Sequence, residues 1–379
     1  MKNFVQLIQK VHNMNFMALS QKLVHEKIPV TFLTYSVTDD CINFAQNYKN
    51  QGLNIPHIIT VTPPPEVNNT DFKIININEI NESHLNPEYI LPRTLIDYKF
   101  AKKFFPKAKI FLMWVSPQVN YDAFMNHLTE LQEVYESLID EDSKKAFCGY
   151  WLANVSCLLS EAVHANTSQY ICHGFIPKAG DVFIDCGTCD GSTALRFSKM
   201  GCKVYGFEMD KKNFEIAKKL SDENGFSVEN LGLGSFKHDM RYSHVEGNIG
   251  ASRLDTAGSE TTKIITLDSY IAENKIPHVD FIKMDVEGAE LDILKGATTT
   301  IARCKPILAL SAYHKIDDFW TLMNFVKSIR PDYEFALRHY ASSREDVPFL
   351  FDENTETFLD SFGMDVTLPG YTECVLFAR

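Results

Sequence analysis

Short apolar runs and helix-length amphipathic stretches alternate along this chain. In the first 145 or so residues, Ile28–Leu33 reads as a strand and Asp39–Lys49 as a helix. Ile55–Val61 reads as a second strand, ending in Pro63, Pro64 and Pro65. Phe72–Ile77 is a third strand, and the continuously apolar Lys109–Val115 (KIFLMWV) a further one. Thr94–Phe105 predicts a helix that stops at Pro106, since proline lacks an N–H and crowds the preceding turn. This βαβ rhythm predicts a small α/β domain with a mostly parallel sheet. Phe124, Leu128, Leu131, Val134 and Leu138 recur at steps of four and three, one face of a single amphipathic helix. That face is expected to pack on its own domain, with a partner-binding helix as the alternative. Asp140, Glu141, Asp142, Lys144 and Lys145 predict a polar link, and Trp151–Ala165 a lead-in helix. The expected division is therefore 1–145 and 146–379.

From Asp181 the rhythm restarts more strongly. Strands are expected at Val182–Asp185, Lys203–Glu208, Ser227–Leu231, Phe281–Asp285 and Pro306–Ser311. Helices fit between them at Thr193–Met200, Lys211–Glu223, Asp268–Asn274 and Leu291–Arg303. After Pro331, Tyr333–Tyr340 and Glu373–Arg379 alternate like paired strands. The loop-like stretch between those two is expected to carry specificity or cover a site. No internal repeat or low-complexity tract is present.

A length of 379 residues suits two domains, and 45 % hydrophobic with 23 % charged residues is ordinary for a soluble globular protein. The longest apolar runs, such as Ile110–Val115 and Ile307–Leu310, are strand-sized and well short of the ~20 residues that span a bilayer. Met1 to Lys10 lacks a secretory-signal pattern. A net charge of −12, from 49 acidic against 37 basic residues, argues against a nucleic-acid partner, whose phosphates demand a basic footprint. Nine cysteines without a framework pattern read as reduced thiols, so a cytoplasmic location is expected.

The strongest chemical signal is DVFIDCGTCDGSTALRF, Asp181 to Phe197. A buried strand ends at Asp185, glycines follow at Gly187 and Gly191, and a helix begins near Ser192. A strand, a tight glycine turn and a helix N-terminus together let a ligand approach backbone N–H groups. Thr188, Cys189 and Asp190 complete this loop and are expected to contact the ligand. The G-x-G-x-x-G spacing of a dinucleotide site is absent, and a carboxylate, Asp185, closes the strand. That carboxylate disfavours a pyrophosphate. It favours S-adenosylmethionine (SAM), which has a sulfonium cation and an ammonium group but no phosphate. Glu208, at the tip of the next strand and beside Met209, can accept both hydroxyls of an adenosine ribose, whichever cofactor carries it. Leu231 and Gly232, in Glu229-Asn230-Leu231-Gly232-Leu233-Gly234, are placed to flank an adenine ring, although such a turn is often only a turn.

In VDFIKMDVEGAELDILKGA, Val279 to Ala297, the strand ends at Asp285 beside the expected reacting centre. A carboxylate there could orient an acceptor hydroxyl, take its proton or hold a divalent cation. Glu287 and Glu290 read equally well as first-turn helix charges.

Asp185–Gly191, Phe207-Glu208, Thr266-Leu267-Asp268, Ile282 through Glu290 and Leu337-Arg338-His339-Tyr340 together resemble the FkbM family of methyltransferases. The resemblance covers about Tyr170 to Arg379 and leaves the first 150 residues unexplained. It implies a class I methyltransferase domain: a Rossmann-like seven-stranded sheet with an antiparallel last strand, preceded here by the smaller α/β domain. It further implies SAM as donor, O-methylation of a sugar, glycan or secondary-metabolite hydroxyl, and Tyr170 near the SAM tail. Cys186 and Cys189 depart from the family, in which small or polar residues are commoner at these positions.

Their CxxC spacing also fits redox or zinc chemistry, but no second ligand pair accompanies it. His314, in LALSAYHK, is a candidate general base with an ordinary pKa near ~6.5. A structural strand-end histidine is the alternative, and His339 is a lesser candidate of the same kind. Two further readings remain open: a non-catalytic SAM-binding assembly or sensing module, and an NAD(P)-dependent oxidoreductase. The first domain lacks glycine in Thr34–Asp39, after its first strand. It is expected to bind no dinucleotide and to serve acceptor recognition or homo-oligomer contacts.

Overall fold

The computed structural model describes residues 4–62, 72–80, 85–93, 95–111, 119–243, 253–254, 258, 260–340 and 373–379. The chain divides into two compact units. Met1–Leu128 and Lys145–His164 belong to the first; Thr129–Lys144, Ala165–Tyr340 and Glu373–Arg379 form the second.

The first unit opens with helices α1 (Phe4–Asn13) and α2 (Phe16–His25), which the hydrophobic pattern did not reveal. There follow β1 (Thr31–Thr34), α3 (Asp39–Asn50), β2 (His57–Thr60), β3 (Lys73–Asn76), β4 (Tyr89–Pro92), α4 (Leu95–Phe104), β5 (Lys109–Ile110) and α5 (Tyr121–Asn126). The strands form one parallel sheet in the order β3-β2-β1-β4-β5. Leu33, Ile59 and Ile90 pack in one core cluster, whereas Phe32, Ile58 and Leu91 pack in another. Both faces are therefore covered, as a parallel sheet requires. Strand β4 was not anticipated, because a four-residue run ending in proline is a weak strand signal. The rest of the expected Lys109–Val115 strand, from residue 112, lies outside the described residues, as does the stretch from 341 to 372.

Two expectations near the boundary need correction. The helix expected through Phe124–Leu138 is broken at His127 into α5 and α6 (Leu128–Ser137), although Phe124, Leu131, Val134 and Leu138 are all buried. The charged stretch at Asp140–Lys145 is not a link but the start of α7 (Glu141–Ser156), so the expected 145/146 boundary falls inside a helix. Asp140 Oδ1 accepts the Ser143 N–H at 2.6 Å, an N-cap, and Glu141 and Asp142 sit in the first turn, where the helix dipole favours acids.

The second unit carries β6 (Val182–Cys186), α8 (Ser192–Lys199), β7 (Lys203–Phe207), α9 (Lys211–Asn224) and β8 (Ser227–Glu229). Next come β9 (Gly232–Leu233), β10 (His238–Ser243), β11 (Arg253–Leu254), β12 (Glu260–Ile265), α10 (Leu267–Glu273) and β13 (Phe281–Met284). The unit finishes with α11 (Glu290–Gly296), α12 (Thr298–Cys304), β14 (Ile307–Ser311), α13 (Asp318–Ile329), β15 (Phe335–His339) and β16 (Cys374–Ala378). Seven strands form the expected sheet, in the order β15-β16-β14-β13-β6-β7-β8, with β16 antiparallel to both neighbours. The rings of Phe183, Phe197 and Phe281 stack in its core, with Phe183 4.2 Å from Phe197 and 5.0 Å from Phe281. The small sheet β11-β10-β12-β9 was not foreseen. The single helix expected at Leu291–Arg303 is instead α11 and α12. They meet beside Gly296, where a Cβ would collide with the Gly234 carbonyl. Among the described residues no helix is long and apolar enough to cross a membrane.

Candidate functional site

The C-terminal ends of β6, β7 and β13 converge on one cavity. Cys186, Gly187, Cys189, Glu208, Met209, Leu231, Gly232 and Asp285 all line it. Gly187 has φ +78°, and a Cβ there would strike the Asp285 carbonyl oxygen, so the glycine is required where two strand ends meet. The loop after it is bound almost entirely by its own unit. Gly187 and Thr188 each donate an N–H to the Phe207 carbonyl at 3.0 Å, and Gly191 donates to the Thr188 carbonyl at 2.9 Å. Cys189 donates to Glu208 Oε2 at 2.8 Å and Ser192 to Asp190 Oδ1 at 3.0 Å.

Glu208 is the hinge of this arrangement. Its second oxygen accepts the Asp210 N–H at 2.8 Å, leaving lone pairs on both oxygens for a ligand. Burial pushes its carboxyl up to about 7, against the opposing pull of those two N–H bonds. Around it Met209, Leu231, Leu233, Ile264 and Ile293 form an apolar wall suited to a flat heteroaromatic ring.

Six expected site residues do not line the cavity: Tyr170, Asp185, Thr188, Asp190, Gly191 and His314. Thr188 packs against Gly206 and donates its hydroxyl to the Asp185 carbonyl at 3.1 Å. Asp190 is exposed beside the start of α8, and Gly191, at φ +87°, seats that helix against Ala217. Asp185 is wholly buried behind the loop, with its Oδ1 2.9 Å from Lys283 Nζ. Lys283 Nζ in turn donates to the Gly187 carbonyl at 2.7 Å. Asp185 therefore acts on the loop through a lysine that the sequence pattern presented only as one position in an apolar strand.

Tyr170 and His314 meet Asp285 from the far side. The Tyr170 hydroxyl donates to Asp285 Oδ2 at 2.6 Å, and the Tyr313 hydroxyl to Oδ1 at 3.2 Å. Tyr170 reaches this position from a left-handed backbone, φ +64°, which is unusual for a bulky residue. Burial pushes the Asp285 carboxyl up, but Lys283, His314 and the hydroxyls of Tyr170 and Ser311 outweigh it and hold it below the ordinary range. Burial pulls the His314 imidazole down, while Glu290, Asp285 and Glu287 win and raise it to about 9. Glu373, just ahead of β16, was missed by sequence reasoning. Its Oε2 accepts from Gln169 Nε2 at 2.8 Å, and burial together with Asp285 pushes its carboxyl up to about 7. His339 is fully buried within β15. Burial also pushes the Cys189 thiol up to about 12 and Cys186 higher still, which disfavours thiolate chemistry at the CxxC pair.

The model of the methyltransferase FkbM domain matches residues 185–340. Hexuronic acid methyltransferase AglP of Haloferax volcanii is 33 % identical over 125 residues, covering 32 % of this chain and 52 % of that protein. The chain thus spans about half the length of this relative. 2-O-methyltransferase NoeI of Sinorhizobium fredii is 24 % identical over 218 residues, 50 % of this chain and 88 % of that one. Among solved structures, methyltransferase FkbM of Methylobacillus flagellatus aligns over 99 % of this chain and 98 % of its own, with a TM-score of 0.66 and 16 % identity, a likeness of fold. Residues 185–340, which match the FkbM methyltransferase domain, carry the segments Asp185–Gly191, Phe207-Glu208, Ile282–Glu290 and Leu337–Tyr340 of the sequence resemblance.

Proposed function

We propose that the second unit is a SAM-dependent O-methyltransferase whose acceptor is a hydroxyl of a sugar, glycan or secondary metabolite. One observation carries this reading: Glu208 and Asp285, on the two strands flanking β6, face a single cavity across the Gly187 loop. Glu208 suits a ribose diol, the apolar wall suits adenine, and Asp285 lies where the acceptor would enter. The committed N–H groups of Gly187, Thr188, Cys189, Gly191 and Ser192 disfavour an NAD(P) pyrophosphate, which needs such donors free. The name of the Haloferax volcanii relative supports a sugar-acid acceptor, and that of the Sinorhizobium fredii relative supports transfer to an oxygen.

SAM supplies a methyl group already activated by a sulfonium leaving group. The task left to the chain is to hold the acceptor oxygen in line with it, worth up to ~7–11 kcal/mol. Asp285, fixed by two tyrosine hydroxyls, can accept the acceptor's O–H and orient its lone pair. As the C–O bond forms, that oxygen becomes strongly acidic, so a carboxylate suffices to take the proton. Tyr170 and Tyr313 are positioning residues in this scheme. Nine free cysteines fit a reducing cytoplasm. The first unit is assigned to acceptor recognition or homo-oligomer contacts. In it β1 is followed by glycine-free Tyr35-Ser36-Val37 and by Thr38, which caps α3, and no dinucleotide is expected to bind there.

The test is mass spectrometry of the full chain with SAM and a panel of sugar nucleotides and glycans. A methylated product is expected. Asp285→Asn should lower turnover ~100-fold or more while changing the SAM Kd little. SAM binding without methylation of any hydroxylated acceptor would favour a sensing or assembly module. Failure to bind SAM would remove the assignment.

A further inference from the structure

The turn between β13 and α11 builds a second constellation next to the cavity, and its geometry does not depend on which ligand the cavity holds. We propose that His314 Nε2, Asp285 and Glu287 bind one divalent transition-metal ion, of the Mn²⁺, Fe²⁺ or Zn²⁺ kind, with Glu290 orienting the imidazole.

The argument starts from the ring. His314 Nδ1 lies 2.8 Å from Glu290 Oε1, a carboxylate held in turn by the Val286 N–H at 3.0 Å. A carboxylate oxygen only accepts, so Nδ1 carries the hydrogen, and in the neutral ring Nε2 presents a lone pair. The carboxylate–histidine pair is the arrangement that fixes tautomer and ring orientation at metal sites. Nε2 itself is buried and makes no hydrogen bond. Its neighbours are Asp285 Oδ1 at 3.5 Å and Glu287 Oε2 at 4.0 Å, both beyond hydrogen-bonding distance.

Those separations have a different use. Nitrogen and oxygen ligands each ~2.0–2.2 Å from one ion stand roughly 3–3.6 Å apart. The Nε2–Asp285 separation already falls in this range, and the 4.0 Å from Nε2 to Glu287 Oε2 lies just beyond it. Asp285, Glu290 and His314 converge within 4.8 Å of one another among the described residues, with Glu287 outside that group. The ligating carboxylate is also supported, since Tyr170 and Tyr313 hold both Asp285 oxygens. An imidazole with two carboxylates selects a first-row transition ion over Ca²⁺ or Mg²⁺ and leaves coordination positions open. Asp285 and Glu287 line the cavity, so an open position faces it. An acceptor hydroxyl bound there would be polarised by the ion.

The test reads binding by itself, so its outcome is separate from that of the methyltransferase assignment. The full chain is stripped with EDTA and titrated with MnCl₂, and free Mn²⁺ is followed by electron paramagnetic resonance. One ion per chain is expected, with His314→Gln and Glu287→Gln each raising Kd at least ~10-fold. Co²⁺ loading should give a visible d–d band that His314→Gln abolishes. Far-UV circular dichroism checks each variant. Should His314→Gln fail to fold, Glu287→Gln, at a partly exposed turn position, carries the comparison. Absence of a stoichiometric Mn²⁺ site in the wild type, or unchanged affinity in the folded variants, would overturn the proposal and leave His314 as an imidazolium bridging carboxylates.

Discussion

Replacing Lys283 by Met tests whether the buried Asp185–Lys283 pair, and not the loop glycines alone, holds the cavity edge in place. Burial pulls the Lys283 ammonium down, but Asp185 and Asp285 outweigh it and keep it above the usual lysine value. Burial likewise pushes the Asp185 carboxyl up, with the Lys283 cation opposing it. Methionine fills much the same volume, so little cavity cost arises. What is lost is the cation 2.9 Å from a carboxylate that has no exposure at all. Removing one partner of such a pair costs about 3–5 kcal/mol, because the other is left charged in low dielectric. At about 2–4 °C per kcal/mol for a unit of this size, Tm should fall by roughly 6–20 °C. The Gly187 carbonyl also loses its 2.7 Å bond to Nζ, so SAM affinity should drop with stability. A Lys283→Met/Asp185→Asn double variant removes the orphaned charge. It should recover at least half the Tm loss without restoring SAM affinity. Thermal melts by circular dichroism and titration calorimetry with SAM read both effects. A single variant melting within ~2 °C of the wild type, or a double variant no better than the single, would refute the reasoning.

Glu208 makes SAM binding pH-dependent: a diol-binding carboxylate must be ionised, and burial raises this one to about 7. The charge of Asp210 raises it further, and Lys283 lowers it. Affinity should hold above pH ~7 and fall up to ~10-fold per unit below it. Stability of the ligand-free unit runs the other way. The raised carboxyl contributes fully below its unfolded value near ~4.5, and that contribution is lost as pH rises through about 7. A flat affinity profile in the wild type, or an unchanged one in Glu208→Gln, would count against the role. Gly187→Ala meets both a left-handed φ of +78° and the Asp285 carbonyl. It should lower Tm and abolish SAM binding, and wild-type values for both would show the loop to be more yielding than its contacts imply.

Local constraints were legible in the sequence because they repeat within a few residues. The glycines at 187 and 191 announce a left-handed turn, the alternation of runs announces a parallel sheet, and Glu208 closes its strand. Composition was less informative where two structures share it. The acids at Asp140–Asp142 serve a helix N-terminus, yet in sequence they look the same as a solvated link.

The tertiary structure decided which groups meet. A strand buried on both faces gives a charged residue in its middle no directional signal, so Lys283 could not be matched to Asp185 across the sheet. Nor does pairing potential say where a strand inserts. Only the entry of β16 between β14 and β15 brings Glu373 to the same edge as Asp285. Tyr170 and Tyr313 reach Asp285 across sequence separations of 115 and 28 residues. Sequence determined the sheet, the loop and the carboxylates at its edge, because backbone preference and hydrophobic period are local properties. The environment of each carboxylate was settled by long-range packing, since burial and a charged neighbour arise only when distant segments close on one another.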